Sequence, residues 1–177
     1  MTDNIIFIGG IHGVGKGTIC KKLSQKYSFI HLSASEVLKW KEISKIENKT
    51  VKDFESTQER LIYGLSQIVK PDKKYLLDGH FCLLNAKGIP ERIPEITFSK
   101  INPSAIIIIT CELQTILNRL ENRDNKKYDI AILRKMQDLE LEFAKEISLK
   151  LDLPFFNIKS SDDKSLQVFL TNYENTN

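Results

Sequence analysis

At 177 residues and 20.4 kDa, with 41% hydrophobic and 28% charged residues, the chain has a globular balance that excludes disordered, collagenous and low-complexity classes, and its length predicts one domain, spanning 1–177, with a core that needs no covalent staples. The net charge is +3 and the pI about 8.6, too mildly basic to imply a nucleic-acid partner without a clustered patch. Three cysteines, Cys20, Cys82 and Cys111, form no C-x-x-C pair, which argues against a zinc knuckle and fits reduced thiols in a cytoplasmic setting; no apolar run approaches the roughly 20 residues that cross a bilayer, and the apolar run of the acidic, glycine-broken opening MTDNIIFIGG is too short for a signal sequence, so no membrane partner is expected.

The apolar run 4–8 (NIIFI) predicts a strand buried on both faces. Ile19, Cys20 and Leu23 among lysines predict a helix over 16–27, and FIHL (29–32) a second short strand. Ser33 and Glu36 stand in capping-box spacing, predicting a helix that runs on to Ile46, followed by a polar loop at 47–53 and a helix over 54–69 stopped by Pro71. YLLDG (75–79) is a third buried strand that ends on an acid. Residues 80–100, with Pro90, Pro94 and Gly88, are expected to be mostly loop. AIIIIT (105–110) is the most strand-like segment of the chain. A helix over 113–121, a charged loop at 122–129, an amphipathic helix over 130–151, a strand at 155–158 and a closing helix over 162–173 complete the order. Strands alternating with helices predict an α/β fold with a parallel sheet and right-handed crossovers. Trp40 and the scattered phenylalanines are expected in the core, and the 130–151 helix could offer a face to a second copy.

Five of the eight glycines fall between Gly9 and Gly17, in GGIHGVGKGT. Gly10, Gly15 and Lys16 match G-x-x-x-x-G-K directly after a strand and at the opening of a helix, the context a phosphate-binding loop requires. Glycines let successive N–H groups of 10–18 (Gly10, Ile11, His12, Gly13, Val14, Gly15, Lys16, Gly17, Thr18) turn toward phosphate oxygens, and the helix start favours the same anion. Lys16 adds a charge able to bridge the β and γ phosphates of ATP. Asp78, ending a strand beside that loop, is placed to organise the waters of a Mg²⁺ ion. Arg119 and Arg123, four apart on one helix face, with Lys126 and Lys127 nearby, either close on the transferring phosphoryl group or form a solvated charge run.

The form G-x-x-G-x-G-K-G-T resembles the nucleoside-monophosphate kinases. Gly17 stands where the usual motif has its hydroxyl, and Thr18 follows; the resemblance implies that magnesium is held largely through water, with Thr18 helping at the α phosphate or in that water shell. Asp78-Gly79-His80-Phe81 lacks the Pro-Arg of common adenylate kinases, and YLLDGHF with GIPERIPEITFSKINPSAIIIIT is similar to archaeal-type adenylate kinases and their relatives. The resemblance spans about 4–158. It implies a three-layer P-loop NTPase fold with a five-stranded parallel sheet flanked by helices, ATP as donor, a small nucleotide monophosphate such as AMP as acceptor, an acceptor-binding segment at 32–70, and a short lid at 119–129 whose arginines act in transfer.

Ser33, Lys39, Lys52, Gln58 and Arg60 are polar candidates for the acceptor, with Arg60 or Arg92 as the arginine fork on its phosphate. His80 either faces the acceptor or bonds backbone in its loop. His12 is expected to point away from the cradle, and His31 to be structural. Two rival functions stay open. One is a kinase for a hydroxyl acceptor, in which Asp78 doubles as base; the other is a nucleotide switch or assembly ATPase with a protein or RNA partner.

Overall fold

The computed structural model describes residues 4–38 and 53–176. Trp40, Lys39 and Lys52, and the continuation of the second helix toward Ile46, lie outside them. The elements are β1 (Ile5–Gly9), α1 (Lys16–Lys26), β2 (Phe29–Ser33), α2 (Ala34–Leu38), α3 (Asp53–Ile68), β3 (Lys74–Asp78), β4 (Cys82–Leu84), β5 (Pro90–Arg92), α4 (Glu95–Ile101), β6 (Ala105–Thr110), α5 (Leu113–Asp124), α6 (Ile130–Lys150), β7 (Phe155–Lys159) and α7 (Asp163–Thr176).

Five strands form one parallel sheet in the order β2-β3-β1-β6-β7. The expected α/β architecture is therefore present. β1 is buried along its whole length because it has a strand on each side and helices on each face. Its side chains alternate between two cores, as the period of two demands. Ile6 and Ile8 join Ile19 of α1, Ile116 of α5 and Leu170 of α7, while Ile5 and Phe7 join Leu65 of α3, Phe98 of α4 and Phe143 of α6. The long helix α6 serves both cores, with Leu133 and Met136 in the first and Phe143 and Ile147 in the second. Around Phe7, the rings of Phe81 and Phe98 lie at centroid distances of 5.0 and 5.5 Å, both edge-on, a favourable aromatic geometry.

The chain leaves β1 toward β2 and β3 on one side, then crosses to β6 and β7 on the other. That reversal opens a crevice at the carboxyl end of β1, the place where open α/β sheets bind ligands.

Two expectations need correction. Residues 80–100 are not mostly loop: β4 and β5 form a short antiparallel pair, and α4 follows. The prolines sit at the openings of these elements, where a missing N–H costs little: Pro90 starts β5, and Pro94 is the residue before α4. Asn102, in the left-handed region at φ 51°, then ends α4 just ahead of Pro103. Ser33 closes β2 and stands directly before α2, where the sequence predicts a helix to start, and its Oγ shares a hydrogen bond with Ser35 Oγ at 2.9 Å. Finally, the 119–129 segment is mostly helix. α5 continues through Asp124, and only 125–129 connect it to α6, whose first turn is capped by the Asp129 carboxylate accepting from Ala131 N at 2.7 Å.

Candidate functional site

Between β1 and α1 the backbone makes a turn that favours glycine at three points, Gly10, Gly13 and Gly15. Gly10 has φ 138°, and a Cβ there would stand 2.5 Å from the Ile109 carbonyl oxygen; Gly15, the residue before α1, has φ 104°. Ile11 and Val14 point into the core and pin the turn from inside. Gly17 faces the Asp78 carboxylate, which a Cβ at that position would meet at an ordinary contact distance of 3.8 Å.

Lys16 is 7% exposed and its ammonium folds back over the turn, donating to Gly10 O at 2.6 Å and Ile11 O at 3.3 Å. Burial lowers its pKa, against the opposing pull of the nearby Asp78 and Glu140 carboxylates. A cation held this way is desolvated and aimed, which strengthens any later contact with phosphate. Asp78 ends β3 in register with Ser33 of β2, and its Oδ2 lies 3.1 Å from His31 Nε2. His31 is thus a partner of the site's acid rather than a remote structural residue.

A cavity of about 1030 Å³ opens over this turn. One part is polar, lined by Gly13, Gly15, Lys16, Gly17, Thr18 and Asp78. The other is largely apolar, lined by Leu38, Leu61, Leu83, Ile93 and Phe98 with Ser33, Gln58 and Thr97 as polar points. Among the described residues, the lysines and arginines on its walls are Lys16, Lys21 and Arg123.

The structure separates the two arginines expected to act together. Arg123 lines the cavity, chelating Asp124 through Nε and Nη2 at 2.6 and 2.7 Å, while Tyr128 Oη also donates to Asp124. The Arg123 fork, with Tyr128 behind it, holds the Asp124 carboxyl well below the ordinary carboxylate range. Arg119 lies outside the cavity lining. Its Nη1 donates to Gly13 O at 3.0 Å and Val14 O at 3.2 Å, so it braces the turn from behind. The proposed acceptor forks are also displaced. Arg92 is bound to Glu146 (2.8 Å) and Glu142 (3.3 Å) and lies over the Phe143 ring, away from the cavity; Arg60, half-buried on α3, is not among the lining residues. Ser33 and His80 do line it.

His12 does not point away. Its ring packs 4.3 Å from that of His80, on the cavity wall. Desolvation by the surrounding walls lowers its pKa to about 4, with neighbouring His80 and the Lys16 and Arg123 cations adding to the effect, although the residue is exposed to solvent. Between pH 6.5 and 4 the unfolded chain therefore binds the His12 proton that the folded chain refuses, and this residue's contribution to stability falls as pH drops through that window. In a proton-detected NMR titration the His12 ring should turn over near pH 4; a midpoint above 6 would contradict the packing described here.

The largest omission from the sequence-based set is Glu140, on α6 and 1% exposed. Its carboxylate accepts from Gly10 N (3.2 Å), from Phe81 N with both oxygens (3.0 Å each), and from Cys82 N (3.3 Å), and His80 Nδ1 lies 3.3 Å away. The Gly10 N–H, expected to face phosphate, is thereby spent on this carboxylate. The signal was present in the sequence: Glu140 falls within the apolar stripe of Leu133, Met136, Phe143 and Ile147, where an unpaired acid would be costly.

A family model described as an AAA domain matches residues 9–137. Among relatives, adenylate kinase isoenzyme 5 of Mus musculus is 31% identical over 134 residues, covering 67% of this chain and 22% of that protein. The uridylate kinase of Saccharomyces cerevisiae is 31% identical over 135 residues, covering 68% of this chain and 62% of that protein. Among solved structures, YorR protein of Bacillus subtilis, in complex with phosphorylated GDP, superposes with a TM-score of 0.54 at 17% identity, over 98% of both chains, a likeness of fold. The chain thus spans under a quarter of the mouse relative and under two thirds of the yeast one. The glycine turn ahead of α1, the parallel sheet beneath it and a family model matched across well over half of the residues agree: this chain belongs to the AAA domain family, and over about two thirds of its length it is similar to adenylate and uridylate kinases.

Proposed function

We propose that this protein is a phosphotransferase that moves the γ-phosphoryl group of Mg·ATP to a nucleoside monophosphate, with AMP, dAMP or UMP as the first acceptors to test. The observation that carries the proposal is the joining of a phosphate turn to a larger, mostly apolar recess within one cavity. A triphosphate tail suits the polar end, and a base and sugar suit the other. The names of the relatives, adenylate and uridylate kinase, point to the same chemistry.

The donor set fits the proposed cofactor. Loop amides of 11–18 and the start of α1 are suited to phosphate oxygens. Thr18 on the first turn and Asp78 at the end of β3 present a hydroxyl and a carboxylate, oxygen ligands of the kind magnesium takes directly or through water. Magnesium, when bound, would neutralise charge on the bridging phosphate oxygens. The chain's own part is positioning and charge. Lys16 would exchange its two carbonyl partners for donor phosphate oxygens. Arg123 would leave Asp124 to meet the charge that spreads over the transferring group, and Arg119 would keep the turn from shifting meanwhile. The acceptor phosphate is already an anion, so no strong general base is called for. Ser33 and His80 border the acceptor recess in this reading, and a reducing, cytoplasmic compartment suits the three free thiols.

The test is a coupled assay with Mg·ATP over a panel of nucleoside monophosphates and of hydroxyl acceptors such as sugars and polynucleotide ends. Rapid transfer to one or more monophosphates is expected. Phosphate release indifferent to every acceptor, but stimulated by a protein or RNA, would replace this proposal with a nucleotide switch.

A further inference from the structure

Cys20 on α1, His31 on β2 and Asp78 at the end of β3 converge beside the polar end of the cavity. A thiol sulfur, an imidazole nitrogen and a carboxylate oxygen lie there within 4.8 Å of one another. Cys20 stands one helical turn beyond Lys16 and is fully buried. His31 and Asp78, already in contact at 3.1 Å, keep 18% and 15% of their side-chain surfaces exposed, and Asp78 lines the cavity, so an ion can reach the group from that side. The three residues are distant in the chain and match no ligand spacing; the parallel pairing of β2 with β3 and the packing of α1 against them bring the donors together.

The chemistry of the set is selective. One soft sulfur, one imidazole nitrogen and one carboxylate oxygen suit zinc-like ions, which accept three protein ligands and leave a fourth position open. Magnesium prefers hard oxygens in octahedral array, so the trio is no second magnesium site. We propose that Cys20, His31 and Asp78 form a binding site for a thiophilic divalent cation of the zinc type, and that its occupation withdraws the Asp78 carboxylate from Mg·ATP and makes the cation an inhibitor competitive with the metal–nucleotide. The inhibitory half rests on the proposed kinase function; the binding half does not. On binding, the Cys20 Sγ–H bond breaks, its proton leaves to solvent and the thiolate takes the ion; His31 coordinates as the neutral ring, Asp78 as the carboxylate, and no electrons are exchanged. Two anionic ligands on a dication give a neutral cluster, which removes the repulsion that the Lys16 ammonium would exert on a bare ion. Burial keeps the free thiol protonated, and coordination to a dication reverses that preference.

The test uses the reduced full-length protein titrated with Co²⁺. A sulfur-to-cobalt charge-transfer band in the near ultraviolet, with intense tetrahedral d–d absorption, should saturate near one equivalent and be displaced by Zn²⁺. Cys20→Ser should abolish the band, His31→Gln should weaken binding roughly tenfold or more, and Cys111→Ser, which changes a partly exposed thiol, should leave it intact. The absence of a band in the wild-type protein overturns the site, as does its survival in Cys20→Ser or its loss in Cys111→Ser. If Cys20→Ser does not fold, unchanged cobalt affinity in His31→Gln overturns the site by itself. With free Zn²⁺ buffered, wild-type transfer should show a raised apparent KM for Mg·ATP at constant kcat, and less so in His31→Gln; a fall in kcat at saturating Mg·ATP overturns the inhibitory half. A cobalt band without any transfer activity would sink the kinase proposal and leave the site standing, and transfer without a band would do the reverse.

Discussion

Lys16→Ala is expected to lower kcat by roughly 10²-fold or more, equivalent to about 2.7 kcal/mol of transition-state stabilisation at about 1.36 kcal/mol per factor of ten. The expectation follows from where the ammonium sits. It is 7% exposed, bonded among the described residues to the carbonyls of Gly10 and Ile11, and already stripped of most of its water. Its charge is therefore available to phosphate without a further desolvation cost. The same burial makes it a liability to the empty protein. Lys16→Met, which keeps the length of the side chain and removes the charge, should hold or raise Tm while turnover falls as in the alanine variant. Steady-state kinetics beside thermal melts check both halves. Near-normal kcat in Lys16→Ala would contradict the assignment of this turn to the donor phosphates.

Glu140→Ala should cost about 3–5 kcal/mol of folding stability, because it deprives the Gly10, Phe81 and Cys82 N–H groups of their acceptor in a place water does not reach. For a chain of this length that is a fall in Tm on the order of 10 °C, at roughly 2–4 °C per kcal/mol. Glu140→Gln should cost less, since one amide oxygen can still accept, but its NH₂ must then face a backbone donor. A melt of Glu140→Ala within about 2 °C of the wild-type protein would show that the carboxylate is not what joins the two turns.

These two residues mark the limits of what the chain discloses on its own. Lys16 was legible because a phosphate turn is a local structure: the glycines, the lysine and the flanking strand and helix are contiguous, and each has one steric reason for its place. β1, β3 and β6 were legible for the same kind of reason, since strands buried on both faces read as unbroken apolar runs. The burial of Glu140 could be read from its place in an apolar stripe, but its partners, Gly10, Phe81 and Cys82, were hidden because they come near only when α6 lies across the sheet. His31 was hidden likewise, its carboxylate partner standing on a neighbouring strand. Arg119 and Arg123 were correctly put on one helix face, yet a face does not say how far a long side chain reaches. One bends to the loop carbonyls and the other to Asp124 and the cavity. Pro90 and Pro94 read as breakers in the sequence, yet each opens an element, which is why β5 and α4 do not show in it.

The bond set of Glu140 also bears on how the molecule can adapt to nucleotides of different bulk. One side chain from α6 fastens the turn after β1 to the turn after β3, so neither can shift without dragging the other. The carboxyl edge of the sheet then behaves as an anvil. Accommodation of a larger or smaller base falls to the opposite wall, where α2, α3 and α4 contribute Leu38, Gln58 and Phe98 and no comparable carboxylate ties the helices to the sheet's turns among the described residues.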